Sequence, residues 1–323
     1  MGAISLYAKA SPDFAQKLAR SLALLQSSAQ KYSPLTQASS LGAEDMVVTQ
    51  LLEEAGIDSR IFVLETGMLH AETVALIPRI EERYLRHVDV YRPDLEAASA
   101  FVQANGNDAM YKSLALRKAC CHIRKMEPLE RALVGKKGWI TGLRREQSSA
   151  RAEVHDIEEQ VGRAKINPLA DWTWGDVWHY IALHNIPFNP LHDQFFPSIG
   201  CAPCTRAVTL GEDFRSGRWW WENESAKECG LHVEPHSNDA PASSLLRSER
   251  ESAEVSAQAH AGSAGVKGSK EPDRSQQESA KECGLHVTAD GTHEAEEPAA
   301  FEPLASPLSG RTSSIIPIRE IPA

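Results

Sequence analysis

The chain has 323 residues, 42% of them hydrophobic and 24% charged, with a formal net charge of −10, which is enough apolar material for one large domain or two small ones. No apolar run approaches membrane-spanning length, and no basic stripe suggests nucleic acid as a partner. All seven Trp and all but one Phe precede about residue 233, whereas residues 234–323 carry 15 acidic against 8 basic residues. The acidity thus belongs mainly to a tail, and the near-neutral body can hold an anion pocket.

Ser11-Pro12 opens a helix on which Phe14, Leu18, Leu22 and Leu25 recur at helical spacing. Thr36 to Ser40 runs as a strand into the turn Leu41-Gly42-Ala43, and Glu44 to Glu54 reads as a helix. Ile61 to Leu64 is a short strand broken at Thr66-Gly67. A helix through Thr73, Leu76 and Ile80 follows, then a strand at Val88 and Val90. Residues 109–134 look helical, interrupted or ended by Pro128. Trp139 to Leu143 is one more strand entering a loop. This alternation predicts an α/β fold with a mostly parallel sheet and helices on both faces.

From residue 234 onward Ser, Ala, Glu, Pro and Gly dominate without periodicity. The chain is therefore expected to divide into a folded region, 1–233, and a disordered, low-complexity tail, 234–323, with an apolar end at Ile315-Ile316-Pro317-Ile318. The decapeptide ESAKECGLHV occurs at 224–233 and again at 278–287. Two short copies so far apart cannot stack a core, so this is a segmental duplication and not a solenoid.

Four groups of residues carry chemistry. Ser39-Ser40-Leu41-Gly42-Ala43-Glu44-Asp45 is a small-residue turn before a helix, where backbone N–H groups can bind an anion; it is equally the form of an ordinary βα turn. Cys120-Cys121 and, eighty residues later, Cys201-Ala202-Pro203-Cys204 offer four thiolates. Their spacing leaves structural zinc and an iron–sulfur cubane both open. Adjacent cysteines on one helix rarely both reach one ion, which makes a zinc knuckle awkward.

Lys125, Gly142-Leu143-Arg144-Arg145, Arg151, Arg215 and Arg218 supply cations, and guanidinium forks suit phosphate and sulfate oxygens. Singly, each is an ordinary surface charge. Lys227-Glu228-Cys229-Gly230-Leu231-His232 places a thiol beside a flexible glycine and two groups able to lower its pKa, although a lone cysteine is usually inert.

Taken together, SLGAED, LETGMLHAET, the CC pair with CAPC, GLRREQSSAR, GEDFRSGRW and ECGLH resemble the iron–sulfur type of adenylyl-sulfate reductase in the PAPS/APS reductase family, over roughly residues 30–233. Glu65 and Ala71 stand where that family has Asp and Pro. The resemblance implies a Rossmann-like, adenine nucleotide alpha hydrolase-like fold. It implies a [4Fe–4S] cluster on Cys120, Cys121, Cys201 and Cys204, and adenylyl sulfate bound by Ser39, Ser40, Gly42, Thr66, Gly67, Lys125, Gly142, Arg144, Arg145, Arg151, Arg215 and Arg218.

Cys229 is then the nucleophile, and thioredoxin or a similar dithiol releases sulfite. Cys283, in the second copy, hangs on a longer tether that dilutes it at the site. The N-terminus has no signal-like apolar stretch, and six cysteines in an intracellular chain suit metal or catalysis, so a cytoplasmic enzyme is expected, with homo-oligomerisation left open. Three rivals remain. A 3′-phosphoadenylyl-sulfate (PAPS) reductase generally lacks the four cluster cysteines. An ATP pyrophosphatase wants SGGxDS where SLGAED stands. A non-catalytic iron–sulfur redox sensor leaves the arginines unexplained.

Overall fold

The computed structural model describes residues 2–209 and 211–223. Six strands form one sheet: β1 (Leu35–Ser39), β2 (Arg60–Leu64), β3 (Val88–Tyr91), β4 (Gly138–Ile140), β5 (Ile157–Gln160) and β6 (Arg163–Ile166). Their order is β3-β2-β1-β4-β6-β5. All neighbours run parallel except the edge pair β5 and β6, an antiparallel hairpin. That hairpin escapes the sequence reading because IEEQ and RAKI are short and charged, without the apolar run that marks a strand.

The helices are α1 (Ala3–Tyr7), α2 (Phe14–Lys31), α3 (Ala43–Glu54), α4 (Ala71–Val74), α5 (Leu76–Tyr84), α6 (Leu95–Asn105), α7 (Ala109–Lys112), α8 (Leu114–Cys121), α9 (Glu127–Ala132) and α10 (Trp174–His184). Side-chain alternation along the strands sorts the core onto two faces. Ile61, Val63, Ile140 and Ile166 meet α3 and α10 through Met46, Val47, Leu51, Trp178 and Ile181. Phe62 and Trp139 point the other way, onto Leu129 and Ala132 of α9 and the following Leu133. The predicted mostly parallel sheet with helices on both faces is the fold observed.

Two differences from the sequence reading concern the helices. The expected helix through Thr73 and Ile80 divides into α4 and α5 at Ala75. Pro128 does not end a helix but sits in the first turn of α9, where its missing N–H costs nothing. Between α8 and α9 the chain makes a π-helical turn over His122–Met126. No helix among the described residues is long and apolar enough to cross a membrane. The expected disordered tail, 234–323, and both ECGLH copies lie outside the described residues.

Candidate active site

The strand order reverses between β1 and β4, and in open parallel sheets ligands bind outside the carboxyl ends at such a point. A cavity of about 180 Å³ lies there. Ser39, Ser40 and Gly42 line it from the β1 turn, and Gly142 lines it from the β4 loop. Phe62, Val63 and Leu64 of β2 give it an apolar side, and Lys125, Arg151, Arg215 and Arg218 bring four cations to it.

Asp45, on the first turn of α3, fastens the two loops together. Its Oδ2 accepts from the Ser40 amide and hydroxyl, both at 2.6 Å, and its Oδ1 accepts from the Gly142 amide at 3.1 Å. A Cβ on Gly142 would lie 2.6 Å from Asp45 Oδ1 and 2.8 Å from Glu44 Cβ, so this close approach requires glycine. The Leu41 amide is likewise taken, by Ser39 Oγ at 3.2 Å. The turn was expected to offer its amides to an anion. The Ser40 and Leu41 amides instead donate to the chain's own side chains, and Ser39, Ser40 and Gly42 shape the wall.

Arg144 and Arg145 also differ from expectation. Neither lines the cavity. Arg144 is fully buried and donates to Glu44 Oε1 from Nε at 3.1 Å and Nη2 at 3.0 Å, and from Nη1 to Glu146 at 2.8 Å. Its guanidinium lies over the rings of Trp174 and Phe214. A carboxylate buried like Glu44 must be paired, and Arg144 meets that need. Arg145 pairs with Asp156 at 3.2 Å and with Asp171. From this loop Arg151 reaches the cavity, held by its Nη1 donating to Gln147 Oε1 at 2.7 Å. Thr66 and Gly67 stand apart from the cavity too. Thr66 Oγ1 is 3.2 Å from Cys201 Sγ and its carbonyl accepts from Arg124 at 2.7 Å, so this turn joins β2 to the cysteine loop.

Cys120, Cys121, Cys201 and Cys204 are free, buried, and line one small second cavity together. Both cysteines of the tandem pair reach it from the end of α8, immediately before the π-turn, a feature that often marks functional sites. Burial holds the Cys120 thiol above its ordinary pKa, and pushes Cys204 up to about 11 with the neighbouring Cys201 adding to the shift. Four buried sulfurs, with Arg117, Arg124, Lys125 and Arg218 in the same wall, fit a bound cationic group that takes thiolate ligands. Among the described residues no group of three or more His, Cys, Asp or Glu side chains is placed to hold a metal ion. Lys125, Arg218 and Trp219 belong to the walls of both cavities, so the cysteine group and the anion site are immediate neighbours.

The sequence motifs include Glu44, Asp45 and Trp219 without giving them a role of their own, and they do not include His192. Trp219 is buried under Arg218 at 4.5 Å, Arg117 at 4.8 Å and Arg215 at 5.9 Å. The signal available was the run RSGRWWW itself, three aromatics against two cations. His192 is buried beneath Trp174 and Trp178 and lines the cavity.

Asp45 and His192 predict an unusual pH profile. Burial raises the Asp45 pKa from 3.8 to about 6. In the folded state it therefore holds its proton more tightly, and its contribution to stability increases as pH falls through 6 toward 3.8. Burial lowers the His192 pKa from 6.5 to about 4. The unfolded chain binds that proton first, so stability is lost as pH falls from 6.5 toward 4. Each effect is worth ~3 kcal/mol and the signs are opposite. Asp45→Asn removes the compensating arm and is expected to show a loss of ~3 kcal/mol between pH 6.5 and 4 that the parent lacks. Parallel unfolding profiles of parent and variant across that range would contradict it.

The expected nucleophile Cys229 and its copy Cys283 lie outside the described residues. The phosphoadenosine phosphosulfate reductase domain model matches residues 34–207. Adenosine 5'-phosphosulfate reductase of Burkholderia cepacia is 50% identical over 224 residues, 69% of this chain and 90% of the relative. The protein of the same name from Allochromatium vinosum is 49% identical, over 66% of this chain and 84% of the relative. The crystal structure of phosphoadenylyl-sulfate (PAPS) reductase from Candida auris, in a phosphate complex, superposes with a TM-score of 0.50 at 22% identity, over 62% of this chain and 98% of that one; this likeness concerns the fold. A domain match over more than half of the chain, joined to half identity along most of each relative, shows that the chain belongs to the phosphoadenosine phosphosulfate reductase family.

Proposed function

We propose that this protein is an adenylyl-sulfate reductase, acting in the cytoplasm to turn the sulfate group of adenylyl sulfate into sulfite. The single observation that carries this reading is the cavity at the β1/β4 reversal, apolar along β2 and ringed elsewhere by Lys125, Arg151, Arg215 and Arg218. An adenosine fits the apolar side and a phosphosulfate the cationic side. The names of the curated relatives at about half identity favour the unphosphorylated nucleotide.

The reaction needs a nucleophile that takes sulfur from oxygen. The Cys229 thiolate attacks the sulfate sulfur, a sulfur–sulfur bond forms, and the bond from sulfur to the bridging oxygen breaks. AMP leaves with the electron pair, and the surrounding cations stabilise its growing charge. A thiolate of thioredoxin, or of a comparable dithiol, then attacks Cys229 Sγ and releases sulfite. The donor's second thiol closes the donor disulfide, so the two electrons gained by sulfur come from the donor.

Cys120, Cys121, Cys201 and Cys204 would hold a [4Fe–4S] cluster, a reading supported by four buried sulfurs on one cavity. When bound, the cluster supplies a fixed charge beside the anion site. Lys125 and Arg218, which stand in both walls, would bind the phosphosulfate oxygens. The test is sulfite release by the anaerobically purified full chain given adenylyl sulfate and a dithiol. Sulfite formed at a rate exceeding that with the 3′-phosphorylated nucleotide is expected. No sulfite from either nucleotide, with iron bound, would overturn the reading and favour a redox sensor.

A further inference from the structure

Seven residues before Cys229, Glu222 is held by an ion pair that nothing in the proposed reaction uses. Its two carboxylate oxygens accept from Arg117 Nε at 3.0 Å and Nη2 at 2.7 Å. The Arg117 side chain is fully buried and that of Glu222 is 7% exposed. The Glu222 amide also donates to the Trp219 carbonyl at 2.8 Å, and the Trp219 amide to the Cys204 carbonyl at 3.2 Å. The turn 219–222 is thereby fastened to two places that matter. One is α8, a single helical turn before Cys120 and Cys121; the other is the Cys201–Cys204 loop. The Arg117 guanidinium also lies over the Trp219 ring at 4.8 Å, and that ring forms part of both cavities.

A bidentate guanidinium–carboxylate pair fixes direction as well as distance, and burying one is costly unless the geometry is this complete. We infer that the Arg117–Glu222 pair is the anchor from which the nucleophile-bearing segment departs, making both positioning residues for sulfur transfer. The inference rests on the reading of Cys229 as nucleophile. Seven residues reach at most about 25 Å, so the anchor sets how often the thiol meets the bound phosphosulfate. Without it, the next fixed point is the Trp219 amide, ten residues from Cys229. The separation along the chain from the last fixed point to Cys229 then grows from seven residues to ten, and effective concentration is expected to fall with about the −3/2 power of that separation.

The test compares the full-length parent with Glu222→Gln and with a variant carrying seven Gly/Ser residues after Asn223, which doubles the tether without touching Arg117. Single-turnover sulfonation of Cys229 at saturating adenylyl sulfate, AMP affinity and the visible absorbance of the iron–sulfur group are read on each. Sulfonation is expected to slow about threefold in the insertion variant and about 1.7-fold in Glu222→Gln, with AMP affinity and absorbance unchanged. Trypsin should cut after Lys227 faster in Glu222→Gln than in the parent. An unchanged rate in both variants, or a rate that falls only in step with AMP affinity, would overturn the anchor. If Glu222→Gln fails to fold, the insertion alone decides. If the parent forms no adduct on Cys229, the proposed chemistry fails, and the trypsin comparison still decides whether the anchor exists.

Discussion

Replacing Cys229 by serine is expected to remove sulfite production, by at least about 1000-fold, as loss of a covalent nucleophile does elsewhere. AMP affinity and iron content should stay as in the parent, because the cavity and the four buried cysteines are built from residues 38–219. Cys283→Ser provides the contrast. Its segment has the same ten residues as that of Cys229, but it follows the anchored turn at Glu222 by some sixty residues instead of seven. Tether length alone then lowers its effective concentration by roughly an order of magnitude or more. Cys283→Ser should keep the parent's rate within about twofold. Equal losses in the two variants, measured as sulfite released under a dithiol donor, would contradict this division of roles.

The second large effect separates two arginines that look alike in sequence. Arg218 lines both cavities, stands over Trp219, and faces Gly200 so closely that a Cβ there would meet its guanidinium. Arg218→Ala is expected to lower kcat/KM by about 100-fold, the usual scale for removing one donor to developing charge, while thermal unfolding moves little. Arg144→Ala should do the reverse. It leaves Glu44 buried without its cation, which costs about 3–5 kcal/mol, and Arg144 itself lines no part of the cavity, although its partners Glu44 and Phe214 do. Its signature is a fall in thermal stability, with AMP affinity kept in whatever fraction remains folded. A stable Arg144→Ala protein with severely weakened nucleotide binding would return Arg144 to the substrate site.

These two arginines also show what the sequence makes legible. The β1 turn, α3, β2, β3 and β4 announce themselves through short apolar runs bounded by Gly and Thr, and the cavity follows from their topology. The CC pair and CAPC signal a joint site because four cysteines in such a chain rarely serve packing. The partners of each cation are not encoded locally. Arg144 meets Glu44, a hundred residues earlier in the chain, and Arg117 meets Glu222 more than a hundred later. Both carboxylates read as surface charge until the fold buries them.

The role of the β1 turn is hidden for the same reason. Its amides look free until Asp45 folds back onto Ser40 and crosses to Gly142. The π-turn at His122–Met126 carries no composition signal at all, yet it follows directly on the cysteine pair. Sequence periodicity reports which face is apolar, but not how a helix is wound.

The central claim is that a Cys229 thiolate takes the sulfur of adenylyl sulfate inside the cation-lined cavity. The reduced full-length protein, incubated with adenylyl sulfate and no dithiol, would be digested with trypsin and its cysteine peptides weighed. The peptides beginning after Lys227 and Lys281 diverge beyond ECGLHV, so the two copies are told apart. A sulfonate on the Cys229 peptide, with one AMP released per adduct, is the predicted result. Bound nucleotide with no sulfonate on Cys229 would contradict the account.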